Sequence, residues 1–163
     1  MMRVLPPLLV IGGPAGAGKS SIADAVAQRL DAPVVGLADG AGEDQHGVDL
    51  NTLQDRLDAH EDAELVVVEG VFALALPPIR WAARWTVYVD TPLDISLARR
   101  ALGRDDPRAV LRAYLDGGRD AHARNVAPGR QLADLVVDGA DPLPDTAERI
   151  YRFITRRSTT APR

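Results

Sequence analysis

The chain contains no cysteine, which excludes disulfides and thiolate metal sites and agrees with a reducing cytoplasm. It lacks any apolar stretch near the roughly 20 residues that cross a bilayer. Its opening "MMRVLPPLLVIGG" is too short, and too interrupted by Pro6 and Pro7, for a signal peptide. No membrane partner is expected, and the expected location is cytoplasmic. A basic excess is missing too: 19 Lys and Arg face 23 Asp and Glu, for a net charge of −4, so no nucleic acid partner is expected. There is no internal repeat, low-complexity segment or linker. What is there, 163 residues with 46% apolar content, fits one domain with a single substantial core. That domain is expected over residues 1–157, with a flexible tail, "STTAPR", over 158–163.

Apolar runs alternate with helical patterns along the chain. "LLVI", about Leu8 to Ile11, reads as a strand, and "IADAVAQRL" places Ile22, Val26 and Leu30 at helical spacing. "APVVGLAD" is a second, short strand, followed by a helix in "DLNTLQDRLDAH" with Leu50, Leu53 and Leu57 on one face. "ELVVVEG" and "WTVYVD" read as the third and fourth strands. "PLDISLARRAL" follows as a helix with Pro92 at its first position, and "PRAVLRAYLDGGRDAHARNV" as a longer one weakened by Gly117 and Gly118. "ADLVVDG" is a fifth strand, and "PDTAERIYRFITRR" a closing helix whose terminal cations suit the helix dipole. Such alternation predicts an α/β protein: a three-layer α/β/α arrangement around a five-stranded, mostly parallel sheet.

Between the first strand and the first helix stands "GGPAGAGKSS". Gly13, Gly18, Lys19 and Ser20 satisfy G-x-x-x-x-G-K-[ST] in its required strand-then-helix context. Glycines let successive backbone N–H groups turn inward around an anion without a Cβ in the way, and the helix start adds its positive end. The cradle comprises Gly13, Ala15, Gly16, Ala17, Gly18, Lys19, Ser20 and Ser21. Lys19 would reach the β- and γ-phosphates of a nucleotide, and Ser20 would give its hydroxyl to Mg²⁺. The pattern implies nucleotide binding and leaves the reaction open.

The reaction is sought at the carboxyl ends of the other strands. Asp39 ends the second strand and Glu69 ends the third. Phosphoryl transfer needs a carboxylate for the attacking hydroxyl, another on the metal side, and cations for the transferring charge. Asp39, Glu69 and the arginines of "LARRALGRDDPR" suit these tasks. Asp39 as a turn residue before Gly40, Glu69 as a helix-capping acid, and Arg99, Arg100, Arg104 and Arg108 as solvated face residues stay open beside them.

The ordered set "GGPAGAGKSS", "VVGLAD", "LVVVEGVFAL", "VYVDTPLDISLARR", "GRDDPRAVLRAY" and "PGRQLADLVVDG" resembles the uridine kinase and phosphoribulokinase group of P-loop kinases. The resemblance implies the P-loop NTPase fold, ATP and Mg²⁺, and a small-molecule alcohol acceptor. It makes Asp39 the catalytic base, Glu69 the acid near the metal, and Arg100 and Arg104 cationic residues of a short lid at about 100–108. With a one-residue shift, Asp44 of "EDQHGVD" falls where the family places an aspartate on the ribose hydroxyls.

The departures lie on the acceptor side. The family's base-reading hairpin is missing, since "AHEDAE" leads straight into "LVVVEG"; the lid is shorter; Ala113 stands where a glutamine commonly precedes the tyrosine, here Tyr114; and "DGAGED" replaces the usual continuation after the second strand. The expected function is therefore an ATP-dependent kinase acting on a nucleoside or other polyol. The alternative is an ATP-binding regulatory module or weak NTPase, and a fold kept for structural reasons alone is the remaining reading. A homo-oligomer that completes the acceptor pocket stays open. His46, His60 and His122 lack metal-ligand spacing and read as surface or loop residues, Trp81 and Trp85 as core or rim packing; no contact is assigned to Arg130.

Overall fold

Period-two alternation along the strands sorts their side chains onto two faces of one sheet. In a computed structural model, which describes residues 5–37 and 48–158, Leu9 and Ile11 of β1 (Leu8–Gly12) point to one side, and Leu8 and Val10 to the other. β2 (Val34–Gly36), β3 (Val66–Glu69), β4 (Ala83–Val89) and β5 (Leu135–Val137) complete a five-stranded sheet in the order β2-β3-β1-β4-β5. Every pairing is parallel, so the mostly parallel expectation is met by an all-parallel sheet.

On the first face, α1 (Lys19–Leu30) and α8 (Leu143–Ser158) bury Ile22, Val26, Ile150 and Ile154 against Leu9, Ile11, Val67, Val87 and Val89. On the second, α2 (Leu50–Asp58) and α3 (Pro77–Ala82) bury Leu53, Leu57 and Ile79 against Leu8, Val10, Val66 and Val68. Each such aliphatic side chain contributes about 1.5–3 kcal/mol on burial. Helix layers on both faces explain why β1 and β3 are continuous apolar runs. Among the described residues, no helix is long and apolar enough to cross a membrane.

The structure differs locally from the expectations. Pro92, with ψ of 135°, caps α4 (Leu93–Leu102) from outside. The segment read as one long helix is α5 (Pro107–Ala113), a π-helical turn over Tyr114–Gly118, α6 (Arg119–Ala121) and a second π-helical turn over His122–Val126. The break falls at Gly117, whose backbone is non-helical and whose missing side chain faces open space. α3 and the short α7 (Gly129–Leu132) lack the periodicity that would announce them. Leu50 is exposed while Leu53 and Leu57 are buried; Trp85 is core, whereas Trp81 is 76% exposed.

α2 begins on a side-chain cap. Asp49 Oδ1 accepts from the amides of Asn51 at 2.9 Å and Thr52 at 3.3 Å, and Oδ2 accepts from Thr52 Oγ1 at 2.7 Å. These bonds, that to the Thr52 hydroxyl foremost, hold the carboxyl below its ordinary 3.8. A depressed folded-state pKa stabilises the fold above the unfolded value and ceases to do so as pH falls through the folded one. Asp49→Ala is therefore expected to lower the urea midpoint at pH 7, and the gap to the unmodified protein to narrow as the pH is taken below 3.8.

Candidate functional site

Because the strands are all parallel, their carboxyl ends share one edge of the sheet, the edge where open α/β sheets hold ligands. β1 delivers the loop from Gly13 to Gly18 there, and Gly18, in a left-handed conformation, is the N-cap of α1. Gly16 has φ of 82°, and a Cβ on it would stand 2.3 Å from the Ser96 carbonyl and 2.7 Å from Arg100 Cγ. Only glycine lets the loop turn this way with α4 pressed against it. Gly13 is as tightly placed, with Val89 O 2.6 Å from where its Cβ would be.

Lys19 is buried, and its Nζ donates to the Pro14 carbonyl at 2.8 Å, folding the ammonium back over the loop. Glu69 pairs in register with Ile11 and Gly36, which sets its side chain beside the end of β1. There Ser20 Oγ donates to Glu69 Oε1 at 3.3 Å. A hydroxyl and a carboxylate oxygen thus converge at the start of α1. Such a pair suits Mg²⁺, which is commonly held by one or two protein oxygens while phosphates and waters complete its shell. Among the described residues there is no cluster of three or more His, Asp or Glu that would hold a metal without such help.

Of the expected cations, Arg100 is brought to the loop at Gly16. Arg104 sits in the exposed turn between α4 and α5. Asp39, Asp44 and His46 lie outside the described residues. Ser21 follows Ser20 in the exposed first turn of α1. His122 is half-buried and helical, not a loop residue, because the break at Gly117 precedes its turn.

Three residues at this edge hold the loop and its neighbours through contacts distant in sequence. Thr91, 2% exposed, donates from Oγ1 to the Ala17 carbonyl at 3.0 Å and so fixes the back of the loop. Gly139 closes against the same carbonyl, leaving no room for a Cβ. Arg99, read as a solvated face residue, donates from Nη1 to Gly139 O at 3.0 Å and ties α4 to the turn after β5. Only the positions of Thr91 and Gly139, just past the ends of β4 and β5, could have flagged them.

"PGRQLAD" is structural. Asp134 Oδ2 accepts from the Thr86 amide at 2.9 Å and its hydroxyl at 3.1 Å, joining β5 to β4. Arg130 Nε donates to Asp90 Oδ2 at 2.7 Å, and that contact raises the guanidinium's pKa further. Burial above all, then the Asp90 charge, pushes Tyr88 up to about 12, so its phenol stays protonated at neutral pH.

No family model matches the chain. The uridine kinase of Clostridium botulinum (strain Okra / Type B1) is 24% identical over 180 positions, covering 81% of this chain and 87% of that protein. The uridine kinase of Vibrio campbellii is 33% identical over 79 residues, 45% of this chain and 37% of its own length. Since the first match needs 180 positions for 81% of a 163-residue chain, that relative carries residues within the matched span that this chain lacks. Among solved structures, shikimate kinase from Aquifex aeolicus superposes with a TM-score of 0.63 at 16% identity, covering 94% of this chain and 99% of that one. Shikimate kinase from Acinetobacter baumannii, in complex with shikimate, gives 0.58 at 19% identity, covering 95% and 96%. The chain has the P-loop NTPase α/β fold, and its sequence resembles the uridine kinase-like P-loop kinases.

Proposed function

We propose that the protein is a small-molecule kinase that moves the γ-phosphate of ATP to an alcohol. The observation that carries this reading is the phosphate loop at the carboxyl edge with Ser20 and Glu69 3.3 Å apart beside it and Arg100 of α4 packed on it. Loop amides and Lys19 would hold the β- and γ-phosphates. Ser20 and Glu69 would hold Mg²⁺, which supplies neutralisation of phosphate charge. Asp39 would take the proton of the acceptor hydroxyl as its oxygen bonds to the γ-phosphorus and the bond to the β–γ bridging oxygen breaks, releasing ADP. Arg100 and Arg104 would stabilise charge on the transferring group. The names of the sequence relatives, uridine kinases, support the reaction class.

A second reading, an ATP-binding regulatory module or weak NTPase, is favoured by the residues that the C. botulinum relative has and this chain lacks. The deciding experiment is ATP consumption with Mg²⁺ by the purified protein, alone and with uridine, cytidine, sugars, pantothenate and shikimate, with mass detection of product. A product one phosphate heavier than its acceptor supports the kinase. ATP binding without product across the panel overturns it in favour of the module.

The Thr91 contact gives a test of the loop itself. Thr91→Val keeps the side-chain shape but leaves the Ala17 carbonyl without its buried donor, a loss of about 1–3 kcal/mol. A lower urea midpoint and an ATP Kd raised about ten-fold are expected, with Thr91→Ser restoring both. Unchanged ATP affinity in Thr91→Val would show that the hydroxyl does not hold the loop in its binding shape.

A further inference from the structure

Beside the phosphate loop opens a cleft bounded by Pro14 and Ala15, the exit of β3, α4 and the broken segment leading to Val126. Its walls are mostly apolar: Val71, Phe72, Leu97 and Val126. Into this setting the structure puts Ser96, 2% exposed, whose Oγ is the sole buried side-chain polar atom among the described residues with no hydrogen-bond partner. A buried hydroxyl left unpaired is destabilising, and a ligand hydroxyl seated against it would remove that cost. The cleft also abuts the phosphate loop: Pro14 and Ala15 line it, and so do Ser96 and Arg100, which pack on Gly16.

The lining also speaks to ligand class. Tyr114 and His122 add polar groups from the broken segment, but no amide or carboxylate side chain lines the cleft among the described residues. A pyrimidine presents an alternating set of carbonyl and N–H groups along one edge, and sites that select such an edge do so with fixed hydrogen-bonding partners. Here the polar side chains are Ser96, Tyr114, His122 and Arg100, set among mainly hydrocarbon walls.

We infer that this cleft is an acceptor pocket for a compact alcohol whose hydrocarbon ring or chain lies on Phe72, Leu97 and Val126 and one of whose hydroxyls pairs with Ser96 Oγ, in preference to a pyrimidine nucleoside. As an acceptor pocket it rests on the kinase reading above; as a binding site it does not.

The test separates the two. The full-length protein, labelled with ¹⁵N, is titrated to millimolar concentrations with shikimate, pantothenate, myo-inositol and uridine, while phosphorylated product is followed by mass in parallel. The expected result is that a compact alcohol shifts the amides of Ser96, His122 and Val126 more than uridine does. Ser96→Ala is expected to weaken that binding about ten-fold, and Ala121→Trp, which fills the cleft from α6, to abolish it; the spectra themselves report that both variants are folded. Uridine shifting these amides as strongly as the compact alcohols, no alcohol shifting them, or equal affinity in Ser96→Ala overturns the inference. Product formed without shifts in the cleft overturns it too and leaves the kinase standing. Binding in the cleft without product supports the site and counts against the kinase.

Discussion

Lys19→Ala is expected to cut phosphoryl transfer at least about 100-fold, the scale on which removal of one preorganised charge-stabilising donor acts. Lys19 is the single lysine of the chain, so no neighbouring ammonium can substitute. The residue is 7% exposed and its Nζ donates to Pro14 O at 2.8 Å, which holds the charge at the loop before any phosphate arrives. In a water-poor site that preorganisation is worth more than the same charge in solvent. Arginine is not expected to rescue, because a planar guanidinium cannot take the place of a compact ammonium folded back onto the Pro14 carbonyl. The measurement is kcat and kcat/KM for the acceptor that the panel identifies, with a urea melt to show that the fold persists. A folded Lys19→Ala protein retaining a tenth or more of the rate would remove Lys19 from the chemistry. On the binding-module reading the same variant shows its defect in ATP affinity alone.

The phosphate loop was legible in the sequence because its parts are local. Gly13 to Gly18 is one loop, and Lys19 to Ser21 open the helix that adjoins it, so spacing alone predicts the geometry that the sheet edge then displays. Glu69 was legible for a similar reason, as the polar end of an otherwise apolar strand. Thr91 and Ser96 were not, since each matters through a residue far away in sequence: Thr91 through Ala17, and Ser96 through the cleft that α4 forms with the segment around His122. Hydrophobic periodicity marks which face is buried, and it does not reveal which hydroxyl within a buried face lacks a partner. The same limit hid the division among the arginines. Arg99 and Arg100 are adjacent on α4, yet one reaches Gly139 and the other packs on Gly16. The Gly117–Gly118 pair was read correctly as a weak point of its helix; that the break would help turn His122 toward the cleft required the fold.

Asp39→Asn is expected to separate transfer from binding. The amide has the size of the carboxylate but cannot accept the acceptor's proton, and a positioned general base typically contributes 10²–10⁴-fold to such a step. The fold supplies a reason to look for a base at this point in the chain. β2 is held against β3 through Gly36 and Glu69, and the Leu37 amide donates to the Glu69 carbonyl at 2.8 Å. The chain thus leaves the sheet at the carboxyl edge beside the Ser20–Glu69 pair, two residues before Asp39 in sequence. A carboxylate serving the acceptor and not the donor affects kcat and leaves ATP affinity within a few-fold. The expected result is a drop in kcat of about 100-fold or more with a calorimetric Kd for ATP close to that of the unmodified protein. If Asp39→Asn turns over at the unmodified rate, the base lies elsewhere. If both proteins bind ATP alike and neither yields product with any acceptor, Asp39 has no proton to take, and the phosphate loop serves a nucleotide-binding module instead of a kinase.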